Sequence, residues 1–353
     1  MNAHKLILIT GGTGWLGSNL LDSLLAKHKG CPDSFLTDSR TIIRCLVNSD
    51  ECYQKLKQYS CRIQVIKGSI TNPQDCLRLC EGANDAILIH IAGIVHPKVI
   101  SEFFSINTLG TKNVIEAASQ AKLKRFIYIS SNSPFGCNAS NKIVFNESSS
   151  YNPYMNYGRS KMNAELIIKE YFKSGKIETV ILNPPWFYGI YQPPRQTLFF
   201  NMIRSGKFPI IGNGENKRSM VYLENLCQAI HLSVITPHIA GHSFWISDEV
   251  PYTMNQIIAT VKSLFIDEFG LTVSNRQLKL PSIISDIALF CDWIIQKAGR
   301  YHQKIHVLSE MNKTISCSIE KAKKELGYAP IYDLENGMKK SMLWCRDHRY
   351  LEF

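Results

Sequence analysis

Short apolar runs recur along the first half of the chain, each broken by glycine, asparagine or serine. "KLILIT" (5–10) ends in a glycine cluster, and "NLLDSLLAKH" (19–28) then places apolar residues every three or four positions. A continuous apolar run reads as a strand buried on both faces, and the 3.6-residue return as a helix with one apolar side. The alternation continues. "TIIRCLVN" (41–48), "IQVIKG" (63–68), "DAILIHIAG" (85–93), "RFIYISS" (125–131) and "ETVILNPP" (178–185) are predicted strands. "TKNVIEAASQA" (111–121) and "SKMNAELIIKEYF" (160–172) are predicted helices. Buried strands alternating with amphipathic helices predict an α/β fold of the Rossmann type, a doubly wound parallel sheet. From about residue 190 the pattern loosens, through "YQPPRQ" and "IGNGENKRS". The expected division is a dinucleotide-binding domain over 1–185, and over 186–353 mostly a smaller, irregular C-terminal substrate lobe with some segments returning to the core.

The glycine cluster adds chemistry. In "TGGTGWLG" (10–17), Gly11, Gly14 and Gly17 stand three residues apart, after a strand and at the opening of a helix. That context suits a dinucleotide: a tight turn at Gly11, close backbone approach to a pyrophosphate at Gly14, and helix packing at Gly17. The free N–H groups of the helix start, around Trp15 and Leu16, attract phosphate oxygens. An acidic residue ending the second strand would grip the ribose hydroxyls of NAD, but Asn48 and Ser49 stand there and Asp50 lies further along. With Lys55 nearby, NADP(H) is favoured over NAD(H).

Composition narrows the class. The 353 residues are 45% hydrophobic and 20% charged, as in an ordinary folded protein. The net charge of +11 favours anionic ligands. It is spread thinly, without a run of five Lys or Arg, so no nucleic-acid partner is expected. The 11 cysteines are scattered without a Cys-x-x-Cys, which points to free thiols in a reducing cytosol and to no metal site. The N-terminal apolar run is too short for a signal peptide, and no stretch of 18 uncharged apolar residues suggests a membrane span. A cytoplasmic location is expected, with a small-molecule substrate as partner and a homodimer as a further expectation.

"NYGRSK" (156–161) sets Tyr157 four residues before Lys161, on one helical face. The spacing alone is cheap, since Tyr53 and Lys57 repeat it. The glycine turn, the serines closing the strand at 130–131 and "YGRSK", in this order, make the chain resemble the extended short-chain dehydrogenase/reductase superfamily, the epimerase/dehydratase type. Within it, the chain looks closest to the branch of 3β-hydroxysteroid dehydrogenases, sterol-4α-carboxylate 3-dehydrogenases and 2-alkyl-3-oxoalkanoate reductases. The resemblance implies that Ser131, Tyr157 and Lys161 are catalytic: Ser131 donates to the substrate oxygen, Tyr157 is the general acid/base, and Lys161 binds the nicotinamide ribose. It implies that Lys161 and the positive nicotinamide ring bring the Tyr157 phenol down from its usual pKa of about 10. Ser69, Ile70, Ala92 and Gly93 (in "HIAG"), Asn107 and Pro184 fall at its other cofactor positions. Asn132, Ser133, Phe187 and Arg218 fall at its substrate positions.

Some positions depart from the family pattern. Ser69 stands where many relatives carry an adenine-contacting Asp, and Asn183 where many sugar-nucleotide enzymes carry Arg. Asn132 and Ser133 replace the Asp-Glu pair that performs elimination in 4,6-dehydratases; neither amide nor hydroxyl can do that work, so dehydration is disfavoured. "LPSIISDIALFCDWIIQKAGRYHQK" (280–304) is predominantly apolar but holds Asp286 and Asp292. It reads as a buried helix, as the wall of a greasy pocket, or as a peripheral membrane contact. The expected activity is NAD(P)-dependent interconversion of a secondary alcohol and a ketone on a lipid-like, steroid-like or β-keto/β-hydroxy acid substrate. The alternatives are a nucleotide-sugar 4-epimerase and a cofactor-binding protein without catalysis.

Overall fold

A central sheet of seven parallel strands organises the protein, whose computed structural model describes residues 6–25, 41–57 and 62–351. β1 (Leu6–Thr10), β2 (Ile42–Val47), β3 (Ile63–Lys67), β4 (Ile87–His90), β5 (Arg125–Ile129) and β6 (Glu178–Asn183) are joined by the strand Ser243–Trp245. Their order is 243–245, β6, β5, β4, β1, β2, β3, so the winding reverses between β1 and β4, where a cleft opens at the strand ends. The helices are α1 (Trp15–Leu24), α2 (Asp50–Lys57), α3 (Pro73–Cys80), α4 (Thr111–Gln120), α5 (Met155–Lys173), α6 (Pro194–Arg204), α7 (Leu223–Ile235), α8 (Met254–Asp267), α9 (Ile283–Lys297), α10 (Gln303–Glu310) and α11 (Leu334–Asp347).

The unbroken apolar strands follow from burial on both faces. Along β1, Ile7 and Ile9 join a core layer with Leu20 of α1 and Leu226 of α7. Leu8 between them joins the opposite layer, with Leu79 of α3, Val114 of α4 and Ile168 of α5. A polar residue at any of these positions would lose water on whichever face it met. A third cluster belongs to the C-terminal half and includes Phe200, Val261, Phe265 and Met342.

Three differences from the sequence expectation matter. A π-helical segment, Phe103–Gly110, precedes α4, and α5 begins at Met155 rather than 160. The half after residue 186 is more helical than expected, holding α6 to α11 among the described residues. The strand Ser243–Trp245 completes the sheet edge beside β6, and α7 packs on α1. For the helix predicted at 19–28, residues 26–28 lie outside the described residues.

Asp248, three residues after the strand Ser243–Trp245, ties segments of the later half together. Its Oδ1 accepts from Tyr222 N and Asn225 Nδ2, both at 2.9 Å, and its Oδ2 from Tyr188 Oη at 2.8 Å. Asn225 in turn accepts from Ile331 N at 2.8 Å, just before α11. Asp248→Ala would take the acceptor from Tyr222 N and from one Asn225 amide hydrogen in a dry junction, while Tyr188 Oη keeps Asp333 O, and is expected to lower unfolding free energy by about 3 kcal/mol. A urea midpoint equal to wild type would show that the junction is not needed for stability.

Candidate active site

The cleft begins at the first turn. Gly17 lies so close to that turn that a Cβ would sit 2.1 Å from the Gly11 carbonyl oxygen, so no other residue fits without moving the helix. Gly14 caps α1 in an extended conformation, with no side chain on the helix N–H groups and no acidic residue in the first turn. An uncapped positive helix end is the donor set that a pyrophosphate needs, so these residues fit a dinucleotide. Leu16 is buried beneath the turn, and Trp15 turns its ring away, donating from Nε1 to Ile190 O at 2.7 Å and meeting Phe187 edge-on at 5.2 Å. Only the backbone of these two faces the phosphate position.

At the adenosine end, Asn48 is exposed, while Ser49 Oγ accepts from Cys52 N at 3.2 Å and so closes the start of α2. Ser69 N donates to Asp75 Oδ2 at 2.8 Å, and Ile70 packs under Gly110. Ala92 and Gly93 follow β4 toward the middle of the cleft. Asn107 is a structural tie: its amide donates to Ile94 O (3.0 Å) and Ser160 Oγ (3.1 Å) and accepts from Ile94 N (2.8 Å). Its polar atoms meet protein groups, as suits the structural Asn that the resemblance implied at this helix.

Ser131, Tyr157 and Lys161 come together where β5 ends and α5 begins. Gly158 makes this approach work, since a Cβ there would lie 2.4 Å from Ser133 O. Ser131 Oγ lies 3.3 Å from Ser133 Oγ, and Asn132 is half-buried beside them. Lys161 Nζ donates to Ile129 O at 2.8 Å and stands 4.3 Å from the centre of the Tyr128 ring. Burial depresses Lys161 to about 7, opposed by the Glu165 charge. Tyr157 is pushed up to about 12, chiefly by burial; the Ser131 hydrogen bond pulls it down and the Glu310 charge adds to the rise. In these surroundings desolvation outweighs the Ser131 hydrogen bond, so the phenol stands above its usual range. The chance copy differs in place: Lys57 lies over the Tyr53 ring on α2, beside the adenosine end.

Sequence reading missed the groups that hold this centre. Buried Glu165 accepts from Ser130 Oγ, from Asn183 Nδ2 at 2.8 Å and from Tyr151 Oη at 2.7 Å. Asn183 also donates to Ser131 O at 3.2 Å, so it braces the catalytic strand from beneath and is no substrate ligand. Pro184 is buried next to it. Met155, at the first turn of α5, has φ of 51°, a conformation that costs a non-glycine residue about 1–2 kcal/mol. Gln296 of α9 holds that turn, accepting from Asn156 N at 3.2 Å and Nδ2 at 2.9 Å.

The substrate end is polar. Arg218 is buried and donates from Nη2 to the Glu310 carbonyl, with its Nε lacking a partner. Tyr154 Oη lies 2.7 Å from Ser309 Oγ. His306 Nδ1 lies 2.7 Å from Asp292 Oδ2. Burial pulls His306 down, but the Asp292 hydrogen bond and the charges of Glu310 and Asp292 leave it above its usual range. The inward side of α9 carries Ser285, Ala288, Asp292 and Gln296. Of the readings of 280–304, this speaks against the greasy pocket wall, since Ile283, Ile287, Phe290, Trp293 and Ile294 face outward.

Sheet and cleft together define a Rossmann-type dinucleotide-binding protein of the short-chain dehydrogenase/reductase kind. The chain belongs to the NAD dependent epimerase/dehydratase family, which residues 7–243 match. It is 45% identical over 342 residues to the uncharacterized protein y4nL of Sinorhizobium fredii, covering 96% of this chain and 95% of that one. It is 25% identical over 344 residues to UDP-glucose 4-epimerase of Vibrio cholerae, covering 96% and 94%. Among solved structures, DesIV, a dTDP-glucose 4,6-dehydratase from Streptomyces venezuelae with NAD bound, superposes with a TM-score of 0.75 over 98% of each chain at 21% identity.

Two outcomes test the centre. Tyr157→Phe is expected to keep dinucleotide affinity and lower turnover by about 10²–10⁴-fold; full activity would remove the tyrosine from proton transfer. Lys161, depressed in the folded state, contributes stability that is present above the unfolded value of about 10.4 and lost as pH falls through about 7. Wild-type stability relative to Lys161→Met should therefore climb from pH 7 to 10, read by urea unfolding, and a flat difference would refute the burial penalty.

Proposed function

We propose that the protein oxidises and re-reduces a secondary alcohol carbon of a diphosphate-linked sugar, as a 4-epimerase does. The observation that carries this reading is the polar cluster beside Tyr157, where buried Arg218 donates to the Glu310 carbonyl, Tyr154 meets Ser309, and α9 turns its polar side inward. The Vibrio cholerae relative supports it by its named activity. Buried Arg218, with one unmatched donor, suits a phosphate oxygen. Elimination is left out because Asn132 and Ser133 offer no carboxylate.

The bound dinucleotide supplies the hydride acceptor and donor. Tyr157, whose phenol the positive nicotinamide ring would draw down toward phenolate, would take the hydroxyl proton as the alcohol becomes a ketone and return it on reduction. Ser131 donates to the substrate oxygen throughout and favours the charge that develops there. Lys161, fixed on Ile129 O, orients the ribose beneath.

Assay of the purified protein with UDP-sugars, hydroxysteroids and β-keto acids separates the readings. Sugar isomerisation without net change at the reduced-nicotinamide absorbance is expected, with the KM of Arg218→Met raised by about 10–100-fold. Net turnover on a lipid-like or β-keto substrate would replace this with the dehydrogenase/reductase reading.

For the dinucleotide we keep NADP(H), on the neutral end of β2 and the exposed Lys55 of α2. NADPH should bind more tightly than NADH, and Lys55→Glu should erase the difference. Tighter binding of NADH would reverse the assignment and match the NAD held by the Streptomyces venezuelae protein.

A further inference from the structure

α9 turns its polar side inward and its apolar side to water. Ser285, Ala288, Asp292 and Gln296 are buried. Ile283, Ile287, Phe290, Trp293 and Ile294 are 47–61% exposed and share one stripe at helical spacing. The orientation is locked from within. Ser285 Oγ donates to Leu308 O at 2.8 Å and Ser309 O at 2.9 Å, and Gln296 Nε2 to Asp292 Oδ2 at 2.9 Å. Rolling the helix to hide its stripe would break these bonds and drag Asp292 from His306. Five large apolar side chains held in water by polar anchors mark an interaction surface.

Charge selects the occupant. Exposed Lys279, Lys297, Arg300 and Lys304 flank the stripe. The exposed acid on this helix, Asp286, is already ion-paired with Lys313 at 2.8 Å. A second copy packed on this face about a twofold axis would set these cations against their own counterparts. An anionic lipid surface answers them, and Trp293 with Lys297 Nζ 4.9 Å from its ring centre has the amphipathic character that suits a headgroup layer. Among the described residues no helix is long and apolar enough to cross a membrane, so the fit is to a surface.

We propose that α9 docks the protein flat on an anionic phospholipid surface. The inner side of the same helix reaches Asn156, next to Tyr157, so docking sets the substrate end of the cleft about one helix diameter, roughly 10 Å, from the lipid. The proposal stands apart from any reading of the substrate.

The test is flotation of the full chain with vesicles of phosphatidylcholine alone and of phosphatidylcholine with phosphatidylglycerol. Wild type is expected to float with the anionic vesicles only, and less as salt rises. Ile287→Ser with Phe290→Ser, and separately Lys297→Glu with Arg300→Glu, should each lower the bound fraction about tenfold or more, with thermal unfolding and dinucleotide binding unchanged. Equal recovery with neutral vesicles, or binding untouched by both pairs of substitutions, would overturn the proposal. A lipid-free dimer in light scattering that Ile287→Ser with Phe290→Ser dissolves would also overturn it, by assigning the face to a second copy.

Discussion

The catalytic end of this protein rests on one buried carboxylate. Glu165 sits on α5 without exposure, and a charge in that position is tolerable only if donors surround it. Those donors come from the end of β5 (Ser130), the end of β6 (Asn183) and the approach to α5 (Tyr151). Satisfying the carboxylate therefore fixes two strand ends against one helix. Lys161, one turn away on that helix, is thereby carried under the strand and onto Ile129 O. Ser131, the residue after the Glu165 donor on β5, and Tyr157, two turns before Glu165 on α5, are placed by the same constraint. Removing the charge would loosen the relation between them before it touched any catalytic atom.

The second constraint comes from outside the sheet. The first turn of α5 holds Met155 in a left-handed conformation, and such strain persists only where neighbours over-determine it. Gln296 supplies two of those neighbouring contacts to Asn156, and Asp292 with His306 holds Gln296 in turn. The placement of Tyr157 thus depends on a helix more than a hundred residues later in the chain.

Much of this was legible in the sequence, and the limits have physical causes. The strands read clearly because a sheet covered on both faces demands unbroken apolar runs, as β1 does with Ile7 and Ile9 on one side and Leu8 on the other. The glycine turn read clearly because the close approach at Gly17 admits no other residue. Family resemblance, rather than spacing, placed Tyr157 and Lys161, since Tyr53 and Lys57 share the spacing. Asn183 misled because its residue type was compared with an arginine, whereas its partner, Glu165, is a neighbour only in three dimensions. The π-helical segment before α4 was invisible to a 3.6-residue pattern. A signal for α9 did exist: Ser285, Asp292 and Gln296 recur at helical spacing on a single side of an otherwise apolar segment, and polar residues so aligned mean a polar interior neighbour.

That alignment bears on what the cleft can hold. An apolar substrate needs an apolar wall, and the segment best supplied with isoleucine, phenylalanine and tryptophan spends them on the outside. The inside of α9 carries amide, hydroxyl and carboxylate groups bonded within the α9–α10 pair or to Asn156, with only Asp292 Oδ1 of these lacking a partner, which makes this side rigid as well as polar. A rigid polar wall pays the desolvation of hydroxyls poorly unless it meets them with aligned partners, so it selects substrates by where their polar groups sit. Arg218 and Glu310 add charge to the same wall. Phe103, fully buried, backs the Tyr157 ring and meets Tyr301 edge-on. The proposed sugar substrate, a hydroxyl-rich ring with a charged tail, would meet these polar groups better than a long hydrocarbon would.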